Sequence, residues 1–473
     1  MRRTLLLLTT AALLGGILPA SAASAEQPAK TGKQPASACA STDRISVPGA
    51  EVQRVSPCLD DLSTTGLLAE PGWTYTDAAD FASLHAPGTV NPAGVPGVQV
   101  DGYFPDTSTT NALHGWDHDS QFVIRLPEQW NGGLVVAGAP GVRKQYSSDF
   151  LISDQVTAQG FAYASIDKGN TGALFFQDGD APGDAIREWH ERVTQVAQAA
   201  QAVVRQTYGK PARHTYMTGI SNGGYLTRWQ LENRPDVFDG GVDWEGTLFE
   251  SDNNVLSFLP PALQAYPTYR DAAEGSPEKE AARQQILAAG FAEGSEFLWP
   301  LHYSIYWDLT QRIYREELDP AYDGALEAGA YPGCPLGMTG CAESDIQYDY
   351  ASRQAVVAPA LRGITLTGKL KRPMLSLHGT LDTLLPISLH GDRYAELVAE
   401  QHRSRLHRYY VVERGQHVDG FSAIFGDAVR PILPCYRDAF DALVAWVEDG
   451  VAPPPSGVVE PLTGPASINE CTL

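Results

Sequence analysis

Gly219, Ser221 and Gly223 stand in the order G-x-S-x-G, between the strand-like run His214–Thr218 and the helix-like stretch Gly223–Asn233. A serine hydroxyl is a poor nucleophile at neutral pH and needs a base, which in turn needs an acid to orient it. Between a strand and a helix Ser221 must occupy a sharp turn that exposes its hydroxyl, and the flanking glycines remove Cβ atoms that would collide across that turn. The amide of Asn222, at the start of the helix, then points where a carbonyl oxygen would develop negative charge. The chemistry implied is attack of a serine on a carbonyl carbon.

The remaining groups are sought on loops that follow later strands, in the order serine, acid, histidine. Asp382 follows the apolar run Met374–Leu377, and His417 follows Leu406–Val412, a separation of 35 residues that holds one helix and one strand. Of the eleven histidines, His417 alone lies just beyond the carboxyl end of the last strand, after a glycine. His378 precedes the acid in its own loop and reads as structural; His402 and His407 flank the last strand short of its end. Glu413 and Asp419 are rival acids, but they sit too close to His417 in sequence to reach its far nitrogen. A second donor to the oxyanion belongs on the loop after Leu134–Ala137. Pro140 has no N–H, so Ala139 is the first choice and Gly141 the second.

The elements that must position these residues alternate. Gln121–Leu126, Leu134–Ala137, Phe161–Ile166, His214–Thr218 and Val237–Val242 read as strands, and Asp184–Tyr208 as a helix with apolar residues at steps of three and four. Strands that are apolar throughout and alternate with helices predict an α/β fold with a mostly parallel, doubly wound sheet. The alternation stops at 248 and resumes at 366 with Met374–Leu377, the helix Ile387–Glu400, Leu406–Val412 and the helix Tyr436–Glu448. Residues 111–247 and 366–450 are therefore read as one core, and 248–365 as an inserted helical lid rich in aromatics such as Phe258, Tyr266, Trp299, Tyr306 and Trp307. Residues 26–110, rich in Pro, Gly, Ser and Thr, read as an irregular N-terminal extension, and 451–473 as a C-terminal tail.

Arg2 and Arg3, the apolar run Leu5–Leu18 and the small residues Ala20–Ala25 have the order of a secretory signal peptide over 1–25. The apolar run is short for a bilayer span of ~20 residues, so no membrane attachment is expected after cleavage. In an oxidising compartment the six cysteines would pair, and sequence order suggests Cys39 with Cys58, Cys334 with Cys341, and Cys435 with Cys471. Of the 473 residues 43% are hydrophobic, enough for a packed core, and the formal charge of −22 argues against nucleic-acid binding. The run His114–Asp119 has metal-ligand residue types at no recognised spacing and reads as a polar turn. Asp178, Asp180 and Asp184 resemble half a calcium loop but lack its ligand count, and read as an acidic loop ending in a helix cap at Asp184. No metal or cofactor is expected, and the oligomeric state is not legible.

Gly219–Gly223, the His378–Asp382 loop and the Gly415–His417 loop together resemble the α/β-hydrolase superfamily over roughly residues 120–247 and 366–450. Arg234–Gly241 followed by a large insertion is similar to secreted tannases and feruloyl esterases, and Ser221–Gly224 to hydrolases of short 3-hydroxybutyrate oligomers. The tannase and feruloyl esterase pattern bridges cysteines adjacent to the serine and the histidine; Ile220 and Gln416 stand there in this chain. The resemblance implies a secreted serine hydrolase of carboxylic esters, on a small-molecule or oligomeric substrate of apolar, aromatic or hydroxyacid type. A peptidase or amidase with the same triad, and a non-catalytic binding protein on the scaffold, are the alternatives.

Overall fold

Leu134–Ala137 is apolar at every position because both faces of its strand are covered: Leu134 and Val136 join one buried cluster, Val135 and Ala137 the other. The computed structural model describes residues 37–69, 76–322, 346–460, 462 and 467–473. Its strands are β1 Val52–Leu59, β2 Gly97–Tyr103, β3 Gln121–Pro127, β4 Gly133–Gly138, β5 Ala162–Ile166, β6 His214–Ile220, β7 Gly240–Trp244, β8 Met374–Gly379, β9 His407–Val412 and β10 Gly457–Val459. They form one ten-stranded sheet in the order β1-β2-β3-β5-β4-β6-β7-β8-β9-β10. The pairs β1–β2, β2–β3 and β3–β5 are antiparallel, and every pair from β5 through β10 is parallel.

The chain leaves β4 toward one edge of the sheet and β6 toward the other. In an open α/β sheet the crevice beyond the carboxyl ends of such a pair is where ligands bind. The long helix Asp184–Tyr208 buries Ile186, Trp189, Val193, Val196 and Val203 against one face. The helix Leu433–Asp449 buries Tyr436, Phe440 and Leu443 against the other.

The N-terminal segment differs from its reading as irregular, since it supplies β1 and β2 and extends the sheet by two antiparallel strands. Val98, Gln99, Val100 and Asp101 of β2 alternate apolar and polar, yet all four are buried, so the polar residues also point into the protein. Gln99 Oε1 accepts a hydrogen bond of 3.0 Å from Arg125 Nε, and Asp149 grips the same guanidinium through bonds of 2.7 and 2.6 Å. Arg125 and Asp149 are both fully buried. Removing either partner of such a pair costs ~3–5 kcal/mol, because the other charge is left uncompensated. The tail likewise adds β10, which pairs parallel to β9.

Between β7 and β8 lie the helices Val255–Asp271, Pro277–Ala288, Trp299–His302, Asp308–Leu318 and Tyr350–Leu361. Leu256, Leu259, Leu263, Trp307 and Val357 of this insertion share a buried cluster with Met217 and Leu226 of the core, so the insertion is welded to the sheet layer. The Asp178–Asp184 loop ends one residue earlier than expected: Gly183, at φ 89°, is the helix cap and Asp184 the first helical residue. Cys39–Cys58 and Cys435–Cys471 are disulfides, with Cα separations of 5.2 and 4.9 Å. Cys334, Cys341 and the 1–25 leader lie outside the described residues, among which no helix is long and apolar enough to cross a membrane.

Candidate active site

Ser221 links β6 to the helix Asn222–Asn233 at φ 61°, in the left-handed region that L-residues avoid. The strain holds because the surroundings leave no alternative. A Cβ on Gly219 would lie 2.7 Å from the Cα of Gly223, and one on Gly223 would overlap the Gly138 carbonyl. Only glycine at both places lets the turn press this closely on β4.

His417 Nε2 lies 3.0 Å from Ser221 Oγ, and His417 Nδ1 lies 2.8 Å from Asp382 Oδ2. All three residues are buried, with Ser221 8% exposed at the cavity wall and Asp382 1%. The other oxygen of Asp382, Oδ1, accepts from the backbone N–H of Leu384 and of Leu385, each at 2.8 Å. Burial opposes ionisation of Asp382, but His417 and His378 outweigh it and hold the carboxyl below the usual carboxylate range. The proton-accepting face of His417 is thus aimed at a hydroxyl, with a charged acid behind the ring.

Asp419, the nearer of the two rival acids, is engaged elsewhere. Asp419 accepts from the N–H groups of Ile432 and Leu433, at 2.7 and 2.8 Å, and anchors the helix that starts there. His378 sits behind Asp382 with Nε2 2.8 Å from the Leu385 carbonyl, a structural position. In the polar turn, His114 Nε2 meets the Tyr146 hydroxyl at 2.6 Å, and Asp119 accepts from Ser108 and Thr110.

The cavity over Ser221 holds about 240 Å³. It is lined from the core by Leu84, Val142, Ile220, Leu384, Leu385 and Val418, and from the insertion by Val255, Tyr306, Leu309, Ile313 and Tyr314. The lining is mostly apolar; beside Ser221, Asn222 and His417 it carries Thr247, Thr310 and Arg143, whose guanidinium donates to the Asp80 carbonyl and to Ser83 Oγ.

Two family models match the chain: "Tannase and feruloyl esterase" over residues 109–243 and "3HB-oligomer hydrolase" over residues 337–470. The crystal structure of feruloyl esterase B from Aspergillus oryzae superposes with a TM-score of 0.51 at 16% identity, covering 88% of this chain and 90% of that one. The chain has the α/β-hydrolase fold. A probable feruloyl esterase of Arthroderma benhamiae is 29% identical over 125 residues, 25% of this chain and 23% of the relative. The mono(2-hydroxyethyl) terephthalate hydrolase of Piscinibacter sakaiensis is 26% identical over 172 residues, 33% of this chain and 28% of the relative. The matches therefore span about a quarter of the length of these relatives.

Of the two candidates for a second oxyanion donor, the structure sets Gly141 and not Ala139 against the cavity. Ala139 is fully buried and does not reach the cavity, whereas Gly141, at φ 50°, lines it. The strand end runs one residue further than the apolar run suggests, so the loop reaches the cavity from Pro140 onward. The Asn222 side chain is clamped by Gly141 O at 3.0 Å, Tyr314 Oη at 2.7 Å and Thr247 Oγ1 at 3.0 Å. Its backbone N–H belongs to the first helical turn, where no intrahelical acceptor exists.

Sequence reading missed the braces that the insertion provides. Trp307 Nε1 donates to the Thr383 carbonyl at 2.6 Å, and the Thr383 hydroxyl lies 2.9 Å from His302 Nδ1, so two lid residues hold the residue after Asp382. Burial pushes His302 down to about 4, keeping the ring neutral beside the acid loop. The reading also missed Glu245, fully buried with Oε2 3.9 Å from His417 Nδ1. Its one signal was an acid directly after the apolar end of a central strand.

Proposed function

We propose that the chain is a secreted hydrolase of carboxylic esters that works through an acyl-enzyme. The observation that carries this reading is the single imidazole of His417 spanning Ser221 at 3.0 Å and Asp382 at 2.8 Å. Ser221 Oγ attacks the ester carbonyl while His417 Nε2 takes its proton, and Asp382 stabilises the imidazolium and fixes its tautomer. The backbone N–H of Asn222, with that of Gly141, stabilises the oxyanion. His417 returns the proton to the departing alcohol. It then activates a water that attacks the acyl carbon and frees Ser221.

The fit of the cavity supports a compact, apolar or aromatic acyl group. At about 240 Å³ it is at or below the lower end of ordinary ligand pockets. A feruloyl ester, a terephthalate monoester and a 3-hydroxybutyrate oligomer are the substrates that the names of the similar proteins and families carry. All three present a short acyl unit, and the proposed substrate belongs to that class. Two disulfides among the described residues, together with the leader-like 1–25 segment, support export.

The test is labelling by an organofluorophosphonate, with the adduct mapped by mass spectrometry, alongside turnover of p-nitrophenyl esters and the matching anilides. An adduct on Ser221 with ester turnover well above anilide turnover is expected. No adduct on Ser221 would refute the reading, and faster anilide cleavage would convert it to an amidase.

A further inference from the structure

Three neighbouring strands end at the site, and each delivers a polar side chain: β6 Ser221, β7 Glu245 and β8 Asp382. Glu245 is held as firmly as the other two. Its backbone is in the left-handed region at φ 50°, its N–H donates to the Leu377 carbonyl at 2.8 Å, and its side-chain Oε1 accepts from Gly379 N at 2.9 Å. The second oxygen, Oε2, is buried without a hydrogen-bond partner, 3.9 Å from His417 Nδ1. That nitrogen is the one Asp382 already holds at 2.8 Å. One imidazole N–H therefore faces two carboxyl groups, and the described mechanism uses one.

Two adjacent buried carboxyls do not both ionise beside one imidazole. Asp382 has two backbone N–H donors on its far oxygen, and Glu245 has one, so the charge settles on Asp382. Burial, then the charges of Asp382 and of Asp419, hold the Glu245 carboxyl well above its ordinary range. The groups facing it are those two carboxyls and His417, on the loops after β8 and β9, with the Gly379 N–H and the buried indole N–H of Trp244 beside it on the side that favours its charged form.

We propose that Glu245 is a positioning residue held in reserve behind Asp382, whose carboxylate takes over the His417 Nδ1–H when that of Asp382 is lost. The reserve step is balanced. Glu245 releases its proton to solvent, its Oε2 closes about 1 Å to hydrogen-bond distance of Nδ1, and Nε2 takes the Ser221 proton as before. No bond to carbon changes.

The inference rests on the serine hydrolase reading, and its test separates the two. Fluorophosphonate labelling rate and ester turnover are measured against pH in the wild type, E245Q, D382N and D382N/E245Q. The glutamine keeps the acceptor for Gly379 N, so a merely structural role survives the substitution. Triads deprived of their only acid lose about 10⁴-fold in turnover. D382N is expected to keep at least about tenfold more activity than D382N/E245Q, on a limb that rises with pH and is absent from the double variant. E245Q is expected to cost less in the wild-type background than in the D382N background. Equal rates for D382N and D382N/E245Q, or the same loss from E245Q in both backgrounds, would overturn the reserve role. If D382N does not fold, the pair D382S and D382S/E245Q carries the same comparison. Absence of labelling in the wild type would instead remove the serine hydrolase reading.

Discussion

Ser221, Asp382 and His417 leave the sheet on loops after β6, β8 and β9, whereas Tyr306, Leu309, Ile313 and Tyr314 reach the same cavity from helices inserted between β7 and β8. The strand ends are fixed by parallel pairing on both sides, which gives reacting groups the sub-ångström tolerance that proton transfer requires. The inserted helices are fixed by packing, which tolerates changes of shape. The contrast teaches that one region sets what reaction is possible and the other sets which molecule undergoes it. The division is incomplete, because Trp307 and His302 hold the loop bearing Asp382, and Tyr314 holds Asn222.

The core half of the contrast is broken most directly at the nucleophile. S221A is expected to lower kcat at least about 10⁴-fold while leaving the thermal midpoint within a few degrees, since nothing in the packing depends on the hydroxyl. Stopped assays on a p-nitrophenyl ester measure it. Retention of a tenth of the activity would place the nucleophile elsewhere.

Second in size is the response of stability to pH, which is a property of the core. Burial pushes Asp101 and Asp154 up to about 6, and Asp167 and Asp419 up to about 7. In the unfolded chain these groups ionise near 3.8. Between about pH 4 and pH 7 the folded state binds more protons at these groups, whose contribution to stability falls as pH rises by up to ~1.4 kcal/mol per pH unit per group. Histidines buried in the neutral form, such as His302 and His190, contribute in the opposite direction. Asp382 has the opposite sign, but its folded value is depressed, so its contribution is lost only below the unfolded value and outside this window. The wild-type urea midpoint relative to that of D101N is therefore expected to be higher at pH 5 than at pH 7.5, since the histidines are common to both chains. A relative midpoint that does not fall toward neutral pH would show that Asp101 ionises in the folded chain at its ordinary value.

This contrast also marks what could be read in advance. Ser221, Asp382 and His417 were legible because each follows an apolar strand, and a strand end is visible in local sequence. The Cys39–Cys58 and Cys435–Cys471 pairings followed from order along the chain. The strand β2 carries a legible alternation, Val98-Gln99-Val100-Asp101, which the reading of 26–110 as irregular passed over; what the alternation does not reveal is that Gln99 and Asp101 also face inward, to serve Arg125 and Tyr146. Glu245 was hidden for a related reason: its partners come from β8 and β9, more than a hundred residues away. The insertion's share of the cavity was illegible in detail. An apolar periodicity identifies a helix, but no local rule says that Trp307 would meet Thr383 or that Tyr314 would meet Asn222.

The insertion half is sharpened by cutting its brace on the acid loop. W307F keeps most of the buried ring and removes the N–H that reaches the Thr383 carbonyl at 2.6 Å. A buried carbonyl left without its donor costs about 1–3 kcal/mol. Because Thr383 adjoins Asp382, part of that is expected as misplacement of the acid: kcat down about tenfold with KM little changed. A rise in KM at constant kcat would mean that Trp307 shapes the cavity and does not brace the loop. Loss of stability with unchanged kcat would confine its role to packing.

The smallest expected effect lies where the two regions meet. Tyr314 Oη accepts from Asn222 Nδ2 at 2.7 Å, while Gly141 O and Thr247 Oγ1 hold the same amide group from the core side. Y314F removes the hydroxyl that also lies 3.1 Å from Asn222 Oδ1, one of the three groups that hold the amide, and keeps the apolar ring against the cavity. One neutral hydrogen bond contributes about 0.5–1.5 kcal/mol, so kcat/KM is expected to fall roughly two- to tenfold. The fall should appear in kcat, because in the proposed mechanism the backbone N–H of Asn222 meets the oxyanion only as charge develops. A fall confined to KM would assign Tyr314 to substrate contact. A fall of a thousandfold would mean that its hydroxyl itself meets the reacting oxygen, and that the inserted helices supply chemistry as well as shape.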